Sequence, residues 1–390
     1  MRILAIREKT VPLASSLRNA NIGFGAMTAS ALVVATDAVR EGKPVNGLAF
    51  DSIGRYGHGG LLRERFIPRL LAAKPEDYAD ARGDNIDPAK LWAIAMQDEK
   101  PGGHGERPGA VGLIDAAAWD IVAKLEGKPL WRVLAERFGE DGMAPDGSVA
   151  VYASGGHYRP SGDLDGLKDE IRRYVDLGHM RIKIKIGGAP LAADLKRVEA
   201  ALAILGTGSA LALDCNGTFD RARAFEYLDA LAPYGLAWLE EPVDPLDFEL
   251  HRELAATTPM PLATGENIFS VADARNLLRH GGLRPARDWL QMDISLSYGI
   301  VEYLRMLEVM AAHGWSRRRA LPHAGHLLAL HAAAGLGLGG HESAPDPTHL
   351  IGGFPDGVSV EHGTVRAPED PGVGIERKAN LYAVFRDLLD

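Results

Sequence analysis

Between residues 148 and 342, short apolar runs alternate with helical patterns, and nearly every run carries an ionisable residue at its end or within two positions of it. The runs are 149–153, 181–186, 210–215, 236–240, 261–265, 289–295, 320–323 and 338–342. Helical spacing of apolar residues separates them, including 164–177, 221–232, 248–258, 271–279, 300–313 and 326–334. Eight strands with seven intervening helices predict an α/β fold, a (β/α)7β modified TIM barrel. An open, doubly wound sheet is the alternative; the regular spacing of polar strand ends favours the barrel.

The first 145 residues have a different rhythm. Strand-like runs at 1–13, 31–36 and 44–51 precede helical patterns at 89–96 and 110–125, where Val111, Ile114, Ala118 and Ile121 share a face. Glu41-Gly42-Lys43 joins the second and third runs as a hairpin. This predicts an α+β domain over 1–145, closed off by the Gly-, Asp- and Pro-containing stretch 139–147. The barrel then spans 146–345, and the loop-rich 346–390 segment is expected to fold back onto the first domain. A 390-residue chain accommodates one barrel and one smaller domain.

A net charge of −9 argues against nucleic acid or an anionic membrane as partner. The single cysteine, Cys215, excludes an internal disulfide framework and a Cys-rich zinc site. No run of 18 apolar residues is present, and the stretch from Met1 to Lys9 has no secretory apolar region. A cytoplasmic protein is expected.

Reacting residues of barrel enzymes sit at the C-terminal ends of the strands. Here those ends are Lys185, Asp214, Glu240, Glu266, Asp293, His323 and Glu342. Each strand therefore delivers one polar residue to one rim. Asp214, Glu240 and Glu266 come from consecutive strands and would repel one another unless a cation neutralised them. Oxygen-only ligation suits a hard ion such as Mg2+, with Glu241 and Asn267 around it.

The run Arg181–Ile186 alternates strictly, so Ile182, Ile184 and Ile186 share one face and Arg181, Lys183 and Lys185 the other. With the isoleucines facing helices, the lysines point inward. Each cation disfavours protonation of the other, making Lys185 a candidate general base with Lys183 as electrostatic partner. Asp293 and His323 form a second acid/base pair, since a carboxylate fixes the imidazole tautomer and raises its basicity. His326 and His331 read as structural. Gly335, Gly337 and Gly340 fit G-x-G-x-x-G, but they follow a helix, the wrong setting for a dinucleotide.

The set Lys183-Ile184-Lys185, Asp214-Cys215-Asn216, Glu240-Glu241-Pro242, Gly265-Glu266-Asn267, Asp293, His323 and Glu342 resembles the enolase superfamily, mandelate racemase subgroup. The resemblance implies Mg2+ on Asp214, Glu240 and Glu266, and proton abstraction beside a carboxylate to give an enediolate. Further stretches resemble the bacterial D-tartrate dehydratases: 16–20, 54–57, 99–107, 263–270, 288–291 and 352–357. That resemblance implies substrate contacts from Asn19, Arg55, Lys100 and Arg159, with Lys183 and Glu342 also touching substrate. It implies a hydro-lyase converting D-tartrate to oxaloacetate and water. Lys185 takes the C2 proton, His323 assists loss of the C3 hydroxyl, and Glu342 bonds the enediolate. The implied partner is a small hydroxy-diacid, and the implied assembly a homo-oligomer. The alternatives are another acid-sugar dehydratase, a racemase, or a non-catalytic ligand-binding relative.

Overall fold

The structure is a computed structural model that describes residues 1–13, 15, 17–140, 145–345 and 349–389. Ser16, part of the 139–147 boundary stretch and the first residues of the C-terminal segment lie outside the described residues.

The chain opens with an antiparallel sheet of β1 (Ile3–Pro12), β2 (Thr28–Arg40) and β3 (Lys43–Phe50). The expected hairpin is present with longer arms. Its two-residue turn has positive φ at both Glu41 (51°) and Gly42 (76°), the mirror-image turn whose twist matches that of paired strands. Helix Pro88–Ala95 starts at Asp87, whose carboxylate accepts from the amides of Ala89 and Lys90. Helix Arg107–Glu126 is apolar almost all round because it is covered on both sides. One side lies on β2 and β3, the other on the barrel. At Gly112 a Cβ would sit 1.8 Å from the carbonyl oxygen of Ser295, so only glycine lets this helix meet the loop after Asp293.

The barrel is built from β4 (Ser148–Gly155), β5 (Ile182–Lys185), β6 (Leu211–Asp214), β7 (Trp238–Glu240), β8 (Leu262–Thr264), β9 (Trp289–Leu290) and β10 (His341–Ser343), paired in parallel. β10 pairs with β4, which joins the last strand to the first. The expected strand at 320–323 is reduced to one bridge, Leu290 to Ala320, continued by the Gly339 amide donating to the Ala320 carbonyl (2.9 Å). Pro322 has no N–H to extend that ladder. The sixth strand is likewise shorter than the expected 289–295. Helices run between the strands, including Leu191–Leu205 after β5. Tyr152, Ala212, Trp238, Ala263 and Leu321 fill the barrel interior below the rim.

The C-terminal segment returns as expected. β11 (Thr364–Arg366) pairs antiparallel with β4, and the final turns reach the opening sheet. There Phe385 packs on Phe50, Lys9 Nζ lies 2.5 Å from Asp387, and Arg7 donates to the Leu388 carbonyl (3.0 Å). The architecture is a TIM-type barrel carrying an antiparallel-sheet cap. Among the described residues, no helix is long and apolar enough to cross a membrane.

Candidate active site

Strand register assembles the site. Lys185 is the direct neighbour of Asp214, and Asp214 of Glu240, so alternation that turns one inward turns all three inward. Glu266 follows two residues beyond β8, after Gly265, where φ is 134° and a Cβ would crowd the Gln291 amide (2.9 Å). Ile182, Ile184 and Ile186 are fully buried on the outer face, and Arg181 stacks over Trp238 at 5.6 Å.

Asp214, Glu240 and Glu266 each bring a carboxylate oxygen within 4.8 Å of the others. Glu241 and Asn267 lie behind them, with the Asn267 amide donating to both oxygens of Glu241 at 3.0 Å. Glu240 also accepts from Gln291 Nε2 (2.7 Å) and Trp238 Nε1 (3.0 Å). Lys183 Nζ lies 2.5 Å from Glu240, 3.1 Å from Glu342 and 3.5 Å from Asp214, and Lys185 is in direct contact with Asp214. Five carboxylates thus share this region with two lysines. Burial, reinforced by Asp214, Glu342 and Glu266, pushes the Glu240 carboxyl up to about 8 despite Lys183. Burial and Glu266 likewise push Glu241 up. An all-oxygen set with surplus negative charge fits Mg2+ on Asp214, Glu240 and Glu266.

The expected neutralising of Lys185 by Lys183 is reversed in this geometry. Burial, the largest influence, and Lys183 favour the neutral amine, but Asp214, Glu240 and Glu266 together outweigh them and hold Lys185 above its ordinary range. Lys183 is likewise held up, by Glu240 and Glu342 against burial. Asp214 opposes its own burial through the two lysines and stays well below the usual carboxylate range.

Beyond Glu266, His323 Nδ1 lies 2.9 Å from Asp293 Oδ2, and His323 Nε2 lies 3.5 Å from Glu266. Burial lowers the basicity of His323, but Glu266 and Asp293 outweigh it and raise the imidazole to about 9. Asp293 is fully buried, yet His323 and His326 keep it below the usual carboxylate range. Glu342 accepts from the Ala324 amide (3.1 Å) and Tyr152 hydroxyl (3.4 Å). Burial would raise it, but Lys183 and His323 bring it down to about 2.

A cavity of about 300 Å³ opens above these groups, and the cap contributes much of its wall. Asn19 lines it; its Oδ1 accepts from the amides of Asn21 (2.8 Å) and Ile22 (2.7 Å), leaving the amide nitrogen to offer. Arg55 lines it too, donating to Asn267 (2.5 Å) and lying over the Phe269 ring at 5.2 Å. Arg159 is at its edge, ion-paired with Glu170 (3.1 Å). His157 faces it; burial and Lys185 lower this imidazole to about 3. Lys100 is not brought to the wall. Its side chain is exposed on a turn whose Lys100 and Gly102 carbonyls are tied to Arg107.

Two contacts escaped the sequence reading. Gln291 was visible in principle, because alternation along the run 289–295 puts Trp289, Gln291 and Asp293 on one face. Ser52, whose hydroxyl donates to Asp293 Oδ2 (2.5 Å), carries no local signal.

A family model described as "Enolase C-terminal domain-like" matches residues 166–380. L-talarate/galactarate dehydratase of Salmonella typhimurium is 30% identical over 83% of this chain and 76% of its own length. A racemase from Streptomyces coelicolor, solved with bound magnesium, is 25% identical with TM-score 0.76, over 97% of this chain and 99% of its own. L-Talarate dehydratase of Polaromonas sp., solved with Mg and L-glucarate, is 25% identical with TM-score 0.70, over 95% and 92%. With its barrel, its cap and these matches, the chain belongs to the enolase superfamily.

Proposed function

We propose that this enzyme is a Mg2+-dependent acid-sugar dehydratase, and that D-tartrate is its substrate, converted to oxaloacetate and water. The observation that carries the reading is the flanking of one carboxylate arc by two proton-handling groups. Lys185 touches Asp214 at one end, and His323 lies 3.5 Å from Glu266 at the other. Relatives named for talarate, galactarate and a racemase reaction share the fold and support chemistry beside a carboxylate.

When bound, Mg2+ supplies positive charge that acidifies the proton beside the substrate carboxylate and weakens the hold of Asp214 on Lys185. Lys185 removes the C2 proton. His323, oriented by Asp293 through Nδ1, gives its Nε2 proton to the departing C3 hydroxyl, which leaves as water. The enol ketonises to oxaloacetate, so no redox cofactor is required. Glu342 holds the substrate side of the rim with Lys183 paired behind it, and Asn19, Arg55 and Arg159 meet the distal carboxylate and hydroxyls. We assign residues 1–145 the role of setting specificity, the barrel that of catalysis, and the cytoplasm as location.

The test is keto-acid formation with Mg2+ from the three tartrate isomers, galactarate, L-talarate and related monoacids. Oxaloacetate from D-tartrate is expected. Keto acid from galactarate or talarate alone would move the substrate to longer diacids. Epimerised substrate without keto acid would replace dehydration with racemisation.

A further inference from the structure

The loop after β3 crosses the barrel mouth and is pinned at two points. Arg55 reaches Asn267, which holds Glu241 beside the carboxylate arc. Ser52, almost fully buried, reaches Asp293. Asp293 is thereby fully engaged: Oδ2 accepts from His323 Nδ1 and from Ser52 Oγ, and Oδ1 accepts from the Leu296 amide (2.8 Å). His326 Nε2 stands 3.5 Å from Oδ1. Its Nδ1 accepts from the Ala329 amide (3.2 Å), so the Nε2 side is the one left to carry a hydrogen.

We propose that Ser52 is a positioning residue for the Asp293–His323 pair, through which the cap sets the orientation of the acid group. The physical basis is that two donors on one oxygen fix the plane of the carboxylate. With the plane fixed, the imidazole can meet Asp293 in only one orientation, and Nε2 faces the cavity. Without the hydroxyl, Asp293 keeps its charge but gains freedom to turn, and the proton on Nε2 loses its aim. The next residues, Ile53 to Arg55, line the cavity. Substrate contact at Arg55 is therefore three residues from the pin on the acid. One short segment thus carries both a wall of the cavity and the pin on the acid.

This rests on His323 being the acid of the proposed reaction, so the test has one arm that needs no turnover. Ser52→Ala and Ser52→Thr are compared with the unaltered enzyme, with melting temperatures verifying that each is folded. In the first arm, the downfield proton resonance of His323 Nδ1–H is identified by its loss in His323→Asn. It should move or broaden into exchange in Ser52→Ala and return in Ser52→Thr, which keeps the hydroxyl. In the second arm, kcat should fall about tenfold to a hundredfold in Ser52→Ala with KM within about twofold, and recover in Ser52→Thr. An unshifted resonance in Ser52→Ala overturns the proposal, with or without activity. So does a shifted resonance with unchanged kcat in an enzyme that turns over. Absence of turnover by the unaltered enzyme on every acid would remove the proposed function and leave the resonance to decide the positioning role.

Discussion

Lys183 Nζ lies 2.5 Å from Glu240 and 3.1 Å from Glu342, and its side chain is almost wholly shut off from solvent. A buried cation among carboxylates is costly to remove, because Glu342 and Asp214, which Lys183 helps to hold ionised, lose their compensation. Lys183→Ala should therefore lose about 3 kcal/mol of stability in EDTA, and Mg2+ should restore most of it by replacing the missing charge. Denaturation with and without Mg2+ measures this; equal losses in both conditions would separate Lys183 from the metal site.

Lys185 offers the opposite test. Lys185→Ala should lower turnover by about a hundredfold to ten-thousandfold while Mg2+ still binds, since the three carboxylates remain. Calorimetric titration of Mg2+ beside a keto-acid assay checks both halves. Full activity in this variant would remove Lys185 from the chemistry.

Arg55 and Lys100 should behave differently although both come from cap loops. Arg55 lines the cavity and reaches Asn267, so Arg55→Met should raise KM about tenfold to a hundredfold, the worth of a charged hydrogen bond. Lys100 is exposed and outside the wall, so Lys100→Ala should leave KM within about twofold. A large KM effect at Lys100 would mean that the loop swings inward when substrate binds.

His331 predicts a loss of stability in acid. Its Nδ1 accepts from the Trp131 amide (3.1 Å) and its Nε2 donates to the Val373 carbonyl (3.0 Å), an arrangement only the neutral ring can make. Burial lowers it from 6.5 to about 4. The unfolded chain therefore takes up the proton first as pH falls. Stability is complete above pH 7 and is lost between about 6.5 and 4. At pH 5 this one ring should cost about 2 kcal/mol relative to pH 7.5. Urea unfolding of His331→Leu should show a shallower pH dependence over that window, starting from a lower stability.

Much of the rim was legible because it is written in a period of two. Lys183, Lys185, Asp214 and Glu240 sit in strands whose alternation and spacing can be read without coordinates, and the register places them side by side. Asp293 and His323 were legible by position, although neither lies inside a regular strand. The run at 320–323 could not be sized, because the proline that stops its ladder leaves the apolar pattern intact. Loop residues were harder. Arg55 and Lys100 look alike in sequence, and only the path of the backbone separates a wall residue from a surface one. The Lys185 charge state was misread because the lysine–lysine repulsion was visible while the closer Asp214 contact was not weighed against it. Ser52 depends on a contact between residues 241 positions apart, which no local pattern encodes.

The docking of Phe385 against β3 and of Leu388 against β1 bears on the order in which the enzyme can be made. The opening sheet is translated ahead of the barrel, yet the residues that cover it follow the barrel. During synthesis the strands of the barrel are therefore complete before the segment that secures the cap is made. A chain stopped a few residues short would retain every proton-handling group and the metal carboxylates while losing the clasp that seats the cap above them.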